Sequence, residues 1–270
     1  MFKKSLKLSI GVFLFRYIKP QPHYFLLLLG FIFYNDCCIA SELENNKNPT
    51  SSTEQQVFLL SSPRSGTNLV IGILQSLYCK PIVGEGTELA HNRLNLNLSQ
   101  EKPIVFRTHY PGRLQNVNQK KNKLLFVLRN FLECIHLREK EFLNRVLNKE
   151  LLKSYIYRLD FYDKWSGKKL LIYYEDLITD TEKTIYQLIN FFDEELKIEP
   201  REFLKNLDDF KEKIYISYHN QHNYPRKSDG KSIISNSKDF SRNTVETINI
   251  YIKESYPELW DKYLKRYYCY

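Results

Sequence analysis

Apolar residues gather in four short unbroken runs: Val57 to Leu60, Pro103 to Phe106, Lys123 to Leu128 and Lys169 to Tyr174. A run without polar alternation suits a strand covered on both faces, which predicts a parallel sheet packed between helices. Helical spacing follows the first run at Leu69, Val70, Ile73, Leu74 and Leu77. Thr179-Asp180-Thr181-Glu182 reads as a capping box, with the Thr oxygen and the Glu carboxylate each satisfying an orphan N–H. Ile185, Leu188, Ile189 and Phe192 then supply a buried stripe. The stretch from Thr244 to Tyr267 is helical in pattern, with a break at Pro257. Residues 111–122 and 215–242 are rich in Asn, Gln, Lys and Ser and read as long loops, which in a compact domain often serve as lids. The pattern predicts an α/β domain of three layers, with a central parallel sheet and a P-loop-like strand-loop-helix at Val57 to Leu77.

The N-terminus differs in kind. Lys3, Lys4, Lys7, Arg16 and Lys19 precede the apolar run Tyr24 to Tyr34, and Cys38-Ile39-Ala40-Ser41 follows. A basic leader, a short apolar core and small residues before a polar stretch fit a signal peptide cut after Ala40, or a membrane anchor if uncleaved. The apolar run is shorter than the ~20 residues of a spanning helix. Residues 1–40 are therefore expected to act as signal or anchor, 41–55 as a polar linker, and 56–270 as the folded body. This predicts a body in the lumen of the secretory pathway, membrane-anchored or exported, and a cytoplasmic one if the segment is unused.

Composition narrows the function classes. With 43% hydrophobic and 26% charged residues the 270-residue chain is globular. Its net charge of +9 admits a polyanionic ligand. Much of that charge is scattered Lys, and no basic stripe with interleaved aromatics is present, so no nucleic-acid partner is expected. Five cysteines without a C-x-x-C pair predict neither a disulfide framework nor a zinc site. No metal is expected.

Between the first strand and its helix lies Ser62-Pro63-Arg64-Ser65-Gly66-Thr67-Asn68. Strand, tight polar turn with one Gly, then helix is the layout of a phosphate cradle, in which converging N–H groups and the helix dipole attract an anion. An ATP-binding P-loop places Lys directly after the Gly; here that position is Thr67, and the cation precedes the Gly as Arg64. Alone, the stretch could be an ordinary connection. Two more runs end in a basic residue, Arg107 and Arg129, which gathers positive charge at the carboxyl edge of the sheet, where ligands bind in such folds. Arg107 and His109, two apart at a strand end, project to one face.

With these motifs in this order, the chain resembles the sulfotransferases that use 3′-phosphoadenosine 5′-phosphosulfate (PAPS), from about Val57 to Lys227. Pro63 to Asn68 is similar to that family's 5′-phosphosulfate loop. Lys123 to Glu133 is similar to its 3′-phosphate segment, with Arg129 at the phosphate position. Arg107-Thr108-His109-Tyr110-Pro111 resembles the motif of the general base, and Tyr173 to Leu177 the late strand whose Tyr, here Tyr174, lies near adenine. The resemblance implies PAPS as co-substrate and a hydroxyl acceptor on a glycan, tyrosine, lipid or small molecule. It assigns His109, Arg64 and Arg107 to catalysis, and Arg64, Ser65, Gly66, Thr67, Asn68, Arg129, Tyr174, Arg226 and Lys227 to the nucleotide. Three positions depart from the pattern: Leu69 replaces an adenine-stacking aromatic, Leu137 replaces a phosphate-binding Ser, and Arg226-Lys227-Ser228 stands where Arg-Lys-Gly is usual.

Sulfuryl transfer, like phosphoryl transfer, asks the protein to position reactants and stabilise spreading negative charge. Arg64 would offset charge on the bridging oxygen, with Thr67 and Asn68 adding hydrogen bonds. A neutral His, with an ordinary pKa of ~6.5, would take the acceptor proton. His91, His136, His219 and His222 are expected to be solvated or packed. Glu175 and Asp176, read as adjacent strand residues facing opposite ways, are expected to be structural. Two other readings compete: a non-catalytic binder of a nucleotide or acidic glycan on the same fold, and a P-loop kinase, for which a cradle Lys and a strand-end Mg²⁺ ligand are not evident.

Overall fold

The computed structural model describes residues 54–84, 102–134, 149–213 and 242–267, all within the compact unit Ser52–Tyr270. Five strands form one sheet: β1 (Val57–Ser61), β2 (Ile82–Val83), β3 (Val105–Thr108), β4 (Lys123–Leu128) and β5 (Lys169–Tyr173). Their order is β2-β3-β1-β4-β5, and every pairing is parallel. The chain leaves β1 toward one edge and later crosses to the other, so the crevice for a ligand opens at the carboxyl end of β1.

Period-two alternation within each strand divides the apolar residues between two cores. Phe58 and Leu60 of β1 and Leu124, Phe126 and Leu128 of β4 are buried on one face. There α2 (Lys149–Lys164) covers them with Leu152, Tyr155, Leu159 and Tyr162, and α6 (Arg242–Ser255) adds Ile248 and Ile252. Leu59, Leu125, Val127 and Ile172 are buried on the other face. Their cover is α1 (Thr67–Tyr78), α4 (Thr181–Phe191) and α5 (Pro200–Lys205), through Val70, Leu74, Leu77, Ile185, Leu188 and Phe203. Burying each such side chain contributes about 1.5–3 kcal/mol, and both faces of the sheet are needed to collect it. The expected three-layer α/β architecture is therefore the observed one.

Several local expectations differ. Strand β2 was not expected, because two residues carry no periodic signal. The fourth run ends a residue early: β5 stops at Tyr173, and Tyr174, Glu175 and Asp176 form the first turn of α3 (Tyr174–Thr179). The capping box does not form. Thr179 still belongs to α3, and its hydroxyl donates to the Glu175 carbonyl at 3.0 Å. The chain breaks at Asp180 (φ −130°, ψ 57°), which caps α4 without a side-chain hydrogen bond. Within the expected loop 111–122, Pro111–Leu114 forms a 3₁₀ turn that buries Leu114. Pro257 does end a helix, since α6 stops at Ser255 and a new turn starts at Pro257. Among the described residues no helix is long and apolar enough to cross a membrane. The expected signal or anchor, the linker through residue 53 and most of the 215–242 loop lie outside them.

Candidate active site

The cradle is built on a type II turn. Ser62 is its first residue, Pro63 presets the second, and Arg64 occupies the third with φ 66°. The Ser65 N–H and hydroxyl both donate to the Ser62 carbonyl, at 3.2 and 2.7 Å. Gly or Asn usually takes that third position, because a larger L-residue there costs about 1–2 kcal/mol. Arg64 therefore sits at a strained point of the loop. Gly66 also has positive φ, 88°, and a Cβ on it would lie 2.1 Å from Cδ2 of Tyr174. Only glycine meets both demands. Helix α1 starts at Thr67; the Leu69 and Val70 N–H groups donate to the Gly66 carbonyl at 3.0 and 3.4 Å, and no side chain caps this end. The Thr67 hydroxyl, expected to reach a phosphate, is buried and lies 2.7 Å from Ser61 Oγ. Asn68 and Leu69 follow, both partly exposed, with Leu69 packed against the α1-side core.

The β1–β3 register sets Leu60 opposite Thr108, so Ser61 and His109 are neighbours across the ends of the two strands. His109 Nδ1 lies 2.8 Å from the Ser61 carbonyl and 3.2 Å from Ser61 Oγ. A carbonyl only accepts, so Nδ1 carries the proton and Nε2 holds the lone pair. Arg107 Nη2 donates to that Nε2 in a short hydrogen bond. Arg107 and His109 thus share a face, as their spacing predicts.

Arg129 directly follows β4 and is 5% exposed. Its Nη1 donates to the Arg64 carbonyl at 3.2 Å, its Nη2 lies 3.6 Å from Glu133, and its Cζ sits 4.2 Å from the centre of the Tyr174 ring. Arg64, Gly66, Tyr174 and Arg129 form one contiguous unit.

Helix α2 braces both ends of the site, which the sequence did not announce. Arg158 Nε donates to the His109 carbonyl at 2.6 Å, and its Nη1 donates to the Ser154 carbonyl at 2.7 Å. One turn away, the Tyr155 hydroxyl donates to the Arg129 carbonyl at 2.8 Å. Burial holds the Tyr155 phenol well above its ordinary pKa, so it remains a donor. Between α2 and the cradle lies a small pocket lined by Ser62, Pro63, Phe131, Cys134, Tyr155 and Arg158. Burial pushes the Cys134 thiol up to about 12, which suits packing and not nucleophilic chemistry.

Glu175 and Asp176 are structural by a different route than expected. Glu175 accepts the Asn130 N–H at 3.0 Å and the Tyr267 hydroxyl at 2.9 Å. Asp176 receives a fork from Arg266, at 3.0 and 2.5 Å. Arg226, Lys227, Ser228, Leu137 and the four other histidines of the body and its loops (His91, His136, His219 and His222) lie outside the described residues. Among the described residues no cluster of three or more His, Cys, Asp or Glu is arranged to hold a metal.

No protein-family model and no curated protein sequence matches the chain. Solved structures do. The crystal structure of mouse sulfotransferase SULT7A1 complexed with PAP aligns at 14% identity and a TM-score of 0.54, covering 78% of this chain and 88% of that one. Retinol dehydratase, in complex with androsterone and the inactive cofactor PAP, aligns at 14% identity and a TM-score of 0.51, covering 74% and 80%. The cradle at the end of β1, the all-parallel sheet and these likenesses together make this chain a protein of the sulfotransferase fold.

Proposed function

We propose that this protein transfers a sulfuryl group from PAPS to a hydroxyl acceptor. The observation that carries the reading is the state of His109. Its Nδ1 proton is committed to the Ser61 carbonyl, so the Nε2 lone pair is aimed away from β1, beside Arg107 and one strand from the cradle. That is a neutral base held in one tautomer next to a phosphate-type loop, the combination that in-line transfer to a hydroxyl requires.

The residues present fit the donor at both ends. The cradle N–H groups and Arg64 suit a 5′-phosphosulfate, and the buried guanidinium of Arg129 suits a second phosphate on the ribose. In the reaction the acceptor oxygen bonds to sulfur as the bond from sulfur to the phosphate oxygen breaks. The acceptor proton goes to His109 Nε2, and the leaving electron pair stays on the phosphate, offset by Arg64 and the cradle. Arg107 releases Nε2 for this step and turns its charge to the transferring sulfonate. Binding of the donor would favour that exchange, because an anionic sulfonate is a stronger partner for a guanidinium than a neutral imidazole.

The acceptor is a hydroxyl of a glycan, tyrosine, lipid or small molecule. The N-terminal segment would place the reaction in a secretory lumen, supplied with donor across the membrane. The test is a magnesium-free incubation with radiolabelled PAPS and one acceptor of each class, paired with a thermal melt in the desulfated nucleotide PAP. Label in an acceptor, with a rise in melting temperature, supports the reading; at a hundredfold excess over Kd the ligand adds about 2.7 kcal/mol. A melt shift without transfer would favour the non-catalytic binder. No shift and no transfer would remove the nucleotide from the account.

A further inference from the structure

The geometry points to Tyr174 as a specificity-determining residue that sets the distance between the cradle and Arg129, so that the site selects a nucleotide carrying a phosphate at each end. This rests on the sulfotransferase reading and alters the role that the family resemblance gives this tyrosine, which is a contact to adenine.

Three observations carry it. The Tyr174 ring presses on the cradle itself: Cδ2 and Cε2 lie 2.1 and 2.5 Å from where a Cβ of Gly66 would stand. The Arg129 guanidinium lies over the same ring, 4.2 Å from its centre. And β5 ends at Tyr173, so Tyr174 opens α3 with its backbone fixed by a helical turn and not by the sheet.

Arg129 reaches the cradle by two routes, its hydrogen bond to the Arg64 carbonyl at 3.2 Å and the ring of Tyr174. The hydrogen bond fixes one nitrogen. The ring limits how far the guanidinium can shift, because its cation lies 4.2 Å over an aromatic face that attracts it. Glu133 at 3.6 Å and Tyr155 on the main-chain carbonyl hold the residue from behind. Tyr174 is thus a spacer with the cradle glycine on one side and the distal cation on the other. What it needs for this is an aromatic face; the phenol hydroxyl is dispensable. A residue that instead touched adenine through its hydroxyl would matter equally to any adenine nucleotide, whether or not it carries a second phosphate.

The experiment compares affinities for adenosine 3′,5′-bisphosphate and adenosine 5′-monophosphate by calorimetry in wild type, Tyr174→Phe and Tyr174→Leu. Leu keeps apolar bulk against Gly66 but offers no face to Arg129, and a thermal melt verifies that each variant is folded. Wild type is expected to prefer the bisphosphate by tenfold or more. Tyr174→Phe retains that preference within about twofold, whereas Tyr174→Leu loses most of it while its monophosphate affinity falls less than about threefold. Equal loss for both nucleotides in Tyr174→Phe would overturn the inference in favour of an adenine contact. An unchanged preference in Tyr174→Leu would overturn it as well. If wild type binds neither nucleotide, the sulfotransferase reading fails and takes this inference with it. Should Tyr174→Leu not fold, Tyr174→Trp, with a larger face, decides by keeping the preference or losing it.

Discussion

The two ends of the site are held by different forces. At the phosphate end, shape decides: Gly66 admits the Tyr174 ring, Arg64 takes a left-handed conformation, and Arg129 is 5% exposed with its guanidinium over that ring. At the base end, the contacts that orient His109 are polar: the Ser61 carbonyl and hydroxyl, Arg107 and, through its own carbonyl, Arg158. A packed contact has no alternative of equal energy, whereas a hydrogen bond exchanges one partner for another at little net cost. The phosphate end is therefore preformed and the base end adjustable. That division suits an enzyme that binds one donor and then lets Arg107 leave His109.

The largest effect is expected at Gly66. Gly66→Ala adds a methyl into the Tyr174 ring at a positive φ, and should destabilise by on the order of 3 kcal/mol or abolish PAP binding, as read by urea unfolding and calorimetry. Adding Tyr174→Ala should recover part of the loss, since the two changes share one contact. Full stability of Gly66→Ala would mean that the phosphate end is not set by shape. At the base end, Arg158→Leu should lower transfer by about 100-fold, the scale of an ångström's misplacement, while PAP affinity stays within about twofold. Parallel loss of both would show α2 to be only a scaffold.

Smaller effects sharpen the picture. Arg64→Gly should be about 1 kcal/mol more stable than Arg64→Ala, because only glycine adopts φ 66° without strain, yet both should bind PAP weakly. Asp163 gives the smallest effect. Burial would raise its pKa, but hydrogen bonds from Lys262 and Tyr263 and the charges of Lys262 and Lys169 outweigh burial and hold it below the usual range. A carboxylate with a lowered folded pKa stabilises above its unfolded value of ~3.9, and this contribution is lost as pH falls through the folded one. Asp163→Asn should therefore flatten the acid limb of stability, measured by denaturation below pH 4, without separating the two ends of the site.

What could be foreseen from the chain follows from how local each cause is. Runs such as Lys123 to Leu128 announce a strand because both faces are buried, and the cradle announces itself because a Gly, a cation and a helix start lie within a few residues. Arg107 and His109 were legible from their spacing at a strand end. Arg158 was not, since it stands 49 positions from the carbonyl it holds and no pattern marks it. The turn at Pro63 was visible, but the left-handed Arg64 was not, because that position favours Gly or Asn. The capping box is absent because Thr179 falls inside α3, where its hydroxyl donates to the Glu175 carbonyl one turn back. Tyr174 was placed near the nucleotide by resemblance; only the packing on Gly66 showed what its ring touches.

Transfer of label from radiolabelled PAPS, compared between wild type and His109→Ala with PAP binding measured on the same preparations, separates a base from a structural histidine. Removing a general base should cost at least about 100-fold in transfer while PAP affinity stays within about twofold. Transfer by His109→Ala at the wild-type rate, or a loss of PAP binding that matches the loss of transfer, would contradict the account.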